Sequence, residues 1–206
     1  MQLRSLSLAS LMLAASVLLA AAEDKPAETT APTVPAVPAA PQWSEFTSDK
    51  QGFAVSFPGA PKVTTAPVEG QNPLLQHDFQ VSLGEDTVYT VVVFEYPQGK
   101  VPKADTDYYV KLINAYAKGS ETRLRRRGPA TVDGRAGFEG IADDGKNKLT
   151  HLVTVVPAGD RIYMLASASP RAKGIPEDAE RFRDSFRLLG GEADPREGSA
   201  ASAAPQ

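Results

Sequence analysis

From Gly52 to Pro58 the chain reads GFAVSFP, with Phe53, Val55 and Phe57 alternating against Ala54 and Ser56. A period of two carried by aromatic and β-branched residues predicts a strand with one buried face. Pro58-Gly59 then ends the run in a turn. A nucleophile elbow needs Gly-x-Ser-x-Gly leading from a strand into a helix. Ser56 lacks that frame and Pro61 follows it, so the stretch predicts the first strand of the sheet and the chain's exit from it. Leu74–Leu83 and Thr87–Pro97 flank Gly84-Glu85-Asp86 and read as a hairpin. The unbroken apolar centre of the second run, Val91 to Phe94, suits a central strand covered on both faces. In residues 104–119 the period changes: Tyr109, Leu112, Ile113 and Tyr116 fall on one helical stripe, with Asp105 or Thr106 as cap and Gly119 as terminator. Four strand-like runs follow, at 120–132, 135–142, 148–156 and 161–169. They are joined by Asp133-Gly134, by DDGKN at 143–147 and by Ala158-Gly159-Asp160, which predicts an antiparallel meander. Residues 174–189 predict a C-terminal helix with Pro176 in its first turn and Ala179, Phe182, Phe186 and Leu189 as its buried stripe. The elements assemble as α+β: a single antiparallel sheet with helices packed on its faces.

The ends change the picture from a bare domain to an exported one. Arg4 precedes a compact apolar stretch, Leu6 to Leu19, and Ala20-Ala21-Ala22 follows. That order predicts a secretory signal peptide at residues 1–22, cleaved after Ala22. The apolar run falls short of the about 20 residues a membrane span needs; the alternative is an uncleaved N-terminal anchor. Residues 23–42 are rich in proline and alanine and read as an extended, disordered linker. Residues 190–206 are small and polar and read as a disordered tail. One domain, 43–189, remains, and the protein is expected in the periplasm or secreted, with no transmembrane span after cleavage. The chain has no cysteine, which excludes disulfides, thiolate zinc sites, thiol catalysis and a lipid anchor on an N-terminal cysteine. A net charge of −3, more acidic by one once Arg4 is removed, gives no nucleic-acid footprint.

The opening FAVSFPGAP and the closing RFRDSFRLL resemble exported bacterial domains of uncharacterised function, with an F-x-V-x-F-P-G-x-P start and an R-F-x-x-S-F end. Phe53, Val55, Phe57, Pro58, Gly59 and Pro61 match the first motif, and Arg181, Phe182, Ser185 and Phe186 the second. Their layout is similar to the PsbP-like fold, an α/β/α sandwich. The resemblance covers most of 43–189 and implies a fold. It also implies, by analogy, a non-enzymatic binding or assembly role.

Candidate chemistry is sparse. Arg123, Arg125 and Arg127 share one face of a regular strand, with Leu124 and Arg126 on the other. Such a row can grip carboxylates or phosphates or dock on an acidic partner or surface; the alternative is a charged edge that blocks aggregation. Tyr108 lies off the helix stripe and is a candidate interface aromatic. His77 and His151, the only histidines, both fall in strands. They lack ligand spacing, so no metal is expected. DDGKN lacks the frame of a calcium loop and reads as a turn. No phosphate loop, dinucleotide fingerprint or zinc-protease helix occurs, so no cofactor is expected. Three functions fit. The first is an exported, non-enzymatic binding or assembly module that recognises a protein or anionic partner in the envelope. The second is a small-molecule carrier with an apolar pocket lined by Tyr109, Tyr116 and Val93. The third is a hydrolase using His77 or His151 with a nearby acid.

Overall fold

The computed structural model describes residues 41–70, 74–98, 101–102, 105–171 and 175–190. The proposed signal peptide, nearly all of the linker and the tail from 191 lie outside the described residues. In chain order the elements are β1 (Ser44–Ser48), β2 (Phe53–Phe57), β3 (Lys62–Pro67), β4 (Leu75–Leu83), β5 (Thr87–Glu95), α1 (Thr106–Gly119), β6 (Arg123–Val132), β7 (Arg135–Asp144), β8 (Leu149–Ala158), β9 (Arg161–Pro170), α2 (Glu177–Asp184) and β10 (Arg187–Leu188).

Antiparallel pairing of consecutive strands builds two meanders, β3-β4-β5 and β6-β7-β8-β9. Asp133 and Gly134 both have positive φ, 51° and 70°, as a two-residue hairpin turn of the right twist requires. At the β7–β8 turn the Asp144 carboxylate accepts from the backbone N–H groups of Lys146 and Asn147, both at 2.9 Å. The meanders join edge to edge through β5 and β9, giving the order β3-β4-β5-β9-β8-β7-β6, antiparallel throughout. Between them α1 carries the chain over one face to the far edge. Asp105 caps it, accepting from Tyr108 N at 3.0 Å.

Alternation sorts the strand residues between two cores. On the α1 face, Phe94, Phe138, Val153, Val155, Ile162 and Met164 pack with Tyr109 and Ile113. Gly140 makes room for the helix: a Cβ there would stand 2.6 Å from Ile113 Cγ2. On the other face, Phe79, Tyr89, Val91, Val93, Tyr163 and Leu165 pack with Phe53, Val55, Phe57, Phe182 and Phe186.

The expected single sheet is corrected to two. β2 does not enter the main sheet; it is the middle of a three-stranded sheet, β1-β2-β10, that with α2 covers the second face. Phe53 meets Phe79 edge-on at 4.9 Å and stacks on Phe186 at 5.8 Å. Alternation fixes that β2 has a buried face, and not which sheet supplies its hydrogen bonds. The C-terminal helix is likewise shorter than expected. Ser185 Oγ donates to Phe182 O at 2.8 Å, the chain turns, and Arg187 and Leu188 pair with Ala54 and Phe53. Gly119 does not close α1 in the left-handed conformation. Glu121 takes that φ, 54°, while Ser120 Oγ donates to Tyr116 O. The edge strand β3, exposed at every position, carries no alternation and is an element the sequence pattern does not reveal.

Candidate functional site

The arginine run lies on β6, a free edge of the main sheet. Arg123 is opposite Asp143 and Leu124 opposite Ala142, but Arg126 is opposite Ile141 and Arg127 opposite Gly140. Arg125 is therefore the extra residue of a β-bulge. The bulge overturns the expected row of Arg123, Arg125 and Arg127 on one face. Asp143 and Ile141 share the α2 face, so their partners Arg123 and Arg126 do too. Arg127 shares the α1 face with Leu124, where its Nη1 donates to Asn114 Oδ1 at 2.8 Å.

All four arginines are exposed. Arg126 stands 3.8 Å from a Glu139 carboxylate that Arg183 holds at 2.7 Å. Those two Glu139 partners differ in setting: Arg126 is 68 % exposed and Arg183 19 %, so Arg183 carries the ion pair. The hydrogen bonds that Arg183 donates to Asp184 and Glu139 raise its pKa. Arg123 and Arg125 have no ion-pair or hydrogen-bond partner among the described residues. Beside the bulge, Arg126, Arg127 and Glu139 border an open cleft of about 310 Å³.

Tyr108 is corrected too. It is half-buried rather than exposed, and its hydroxyl pairs with that of Tyr96 at 2.7 Å. Burial, then that hydrogen bond, pushes its pKa up. It packs at the rim of the α1 core and stands apart from the arginine edge.

No family model matches the chain. No curated protein matches it either. Among solved structures it is similar to cyanobacterial PsbP (CyanoP) from Synechocystis sp. PCC 6803, at 16 % identity and a TM-score of 0.49, over 76 % of this chain and 98 % of that one. It is also similar to a crystal structure from Bacteroides thetaiotaomicron, at 12 % identity and a TM-score of 0.35, over 70 % of this chain and 47 % of that one.

The histidines do not converge. His151 lies on the α1 face, where its Nδ1 meets the Tyr116 hydroxyl at 2.9 Å. Its Nε2 is buried without a partner. Burial pushes the His151 pKa below 6.5 and the Tyr116 pKa up. His77 lies on the opposite face, 3 % exposed. Its Nδ1 is 2.9 Å from Thr65 Oγ1 and its Nε2 is 3.1 Å from Glu95 Oε2. In a neutral ring whose Nε2–H donates to the carboxylate, Nδ1 accepts from the threonine hydroxyl. The resulting line of hydroxyl, imidazole and carboxylate crosses β3, β4 and β5. Sequence spacing could not reveal it, because β3 itself carries no strand pattern. The apolar pocket expected between Tyr109, Tyr116 and Val93 does not exist as drawn. Val93 belongs to the α2-face core, and Tyr109 stacks on Phe138 at 6.3 Å on the other side. Among the described residues no three His, Asp or Glu side chains gather as metal ligands.

Proposed function

We propose that this protein is a non-enzymatic binding module, exported to the cell envelope, whose β6 edge docks an acidic protein segment. One observation carries the reading: Arg123 and Arg125 stand exposed on a free edge strand with no ion-pair or hydrogen-bond partner among the described residues, in a chain of net charge −3. Buried or paired arginines serve the fold; unpaired ones on an edge are available to carboxylates. The bulge spreads the guanidinium groups to both sides of the edge, so an acidic segment lying along β6 meets charge on each flank. Export is inferred from residues 1–22.

The test is fluorescence anisotropy with a labelled glutamate-rich peptide, at low and high salt. The parent is expected to bind, and more weakly as salt screens the contacts. A variant with Arg123, Arg125, Arg126 and Arg127 changed to Ser should lose at least about tenfold in affinity, the equivalent of roughly 1.4 kcal/mol. Equal binding by both proteins would overturn the reading. So would binding to phosphatidylglycerol vesicles without binding to the peptide.

A second reading rests on the Thr65–His77–Glu95 line, the arrangement that activates a hydroxyl nucleophile. It predicts slow hydrolysis of p-nitrophenyl acetate through acylation of Thr65, with His77 Nδ1 taking the hydroxyl proton and returning it to the leaving p-nitrophenolate; water then cleaves the acetyl-threonine ester, releasing acetate and restoring the hydroxyl. Hydrolysis unchanged in both Thr65→Val and His77→Gln would remove it.

A further inference from the structure

One row of polar side chains crosses four strands at the end of the main sheet near the β7–β8 turn. Arg123 of β6 is opposite Asp143 of β7, Asp143 is opposite Thr150 of β8, and Thr150 is opposite Ser169 of β9. Direct partners in an antiparallel ladder share a face at about 4.5–5.5 Å between Cα atoms. The row is therefore continuous on the α2 face. The next row inward on that face is apolar: Ile141 and Leu152 are covered by Ala179 and Ile175.

Thr150 is 1 % exposed and Ser169 7 %. Even so, Thr150 Oγ1, Ser169 Oγ and Asp143 Oδ1 are all buried without a hydrogen-bond partner. Buried polar groups in folded proteins are nearly always satisfied, and each exception calls for an explanation. Asp143 also borders a cleft of about 380 Å³ whose other charged walls are Glu121, Arg123 and Arg171. Arg171 is held there by its Nη2 donating to Asp144 O at 3.2 Å, which leaves further guanidinium donors for a ligand.

The walls carry two positive and two negative side chains. A lone anion or lone cation leaves half of them unmatched, whereas a molecule bearing both charges matches all. We propose that this cleft binds a small zwitterion of the α-amino-acid type. Its carboxylate takes the guanidinium groups of Arg123 and Arg171. Its ammonium donates to Asp143. Thr150 and Ser169 stand behind Asp143 in the row and do not line the cleft. The site is independent of acidic-segment docking except that both use Arg123.

The test is ¹H–¹⁵N NMR titration of the full chain with L-serine, with inorganic phosphate as a purely anionic probe and ethanolamine as a purely cationic one. L-Serine is expected to give saturable shifts at the amides of Asp143, Thr150 and Ser169. Asp143→Asn should weaken binding at least about tenfold, and Arg171→Ser should do the same. The variant with Arg125, Arg126 and Arg127 changed to Ser should keep serine binding while losing the acidic peptide, which separates the two sites. No saturable shift with serine, equal shifts with phosphate alone, or affinity unchanged in a folded variant of the row would overturn the proposal.

Discussion

His151 is a buried base whose two nitrogens are served unequally: one meets Tyr116, the other meets nothing. Its pKa is lowered chiefly by desolvation, with Asp144 opposing. Above pH 6.5 the folded and unfolded chains both hold the ring neutral, and its contribution is complete. As pH falls through 6.5 the unfolded chain takes up the proton first, so stability is lost toward the folded-state value. Urea midpoints measured on both sides of pH 6.5 should therefore fall on acidification, and the fall should be smaller in His151→Leu. A slope identical to the parent's would show that another group sets it. Phe57 is fully buried against Phe182 and Phe46. Phe57→Ala should cost about 3–5 kcal/mol, read from the denaturant midpoint at constant slope. These core residues are legible in the sequence because burial follows the period of two. The fate of Tyr108 is not, since a single aromatic off the stripe gives no sign of the Tyr96 hydroxyl that it meets.

At the level of elements, alternation and Asp-Gly turns account for β4 to β9, and the change of period accounts for α1. What escapes is pairing without pattern. β3 buries nothing, so no hydrophobic signal marks it, and β10 is two residues long. The β6 bulge escapes for another reason: an inserted residue shows only as a shift against the partner strand, and the partner is not visible in the arginine run. A consequence is that the arginine face drawn from strict alternation is wrong by one residue beyond Arg125. The docking of α1 offers a direct check. Gly140→Ala places a methyl group 2.6 Å from Ile113 Cγ2, so the helix must shift, at about 1–3 kcal/mol. Pairing the change with Ile113→Ala, which removes Cγ2, should cost less than the sum of the two single changes. A cost equal to that sum would mean that the strain falls elsewhere.

For the whole molecule, the two edges of the main sheet are treated differently. β6 carries four arginines, a bulge and Pro129, all features that deter strand addition. β3 has one charge, Lys62, and leaves Val63 51 % exposed. If the arginines serve only to deter strand addition, changing them to Ser should promote self-association through β6, seen by light scattering. If they serve a partner, the variant should stay monodisperse and lose only binding.

The β5–β9 pairing has a consequence in time. A chain made from its N-terminus completes β3, β4 and β5 early, yet the strand that closes β5 is the last of the main sheet to arrive. Until then Val91 and Val93 stand beside an open ladder, and the C-terminal segment that covers them with Phe182 and Phe186 follows later still. Long-range pairing of this kind slows folding and prolongs exposure to wrong partners. A chain stopped before Arg161 should accordingly collect as aggregate instead of a folded half, so that the final fifth of the sequence decides whether everything made before it is used.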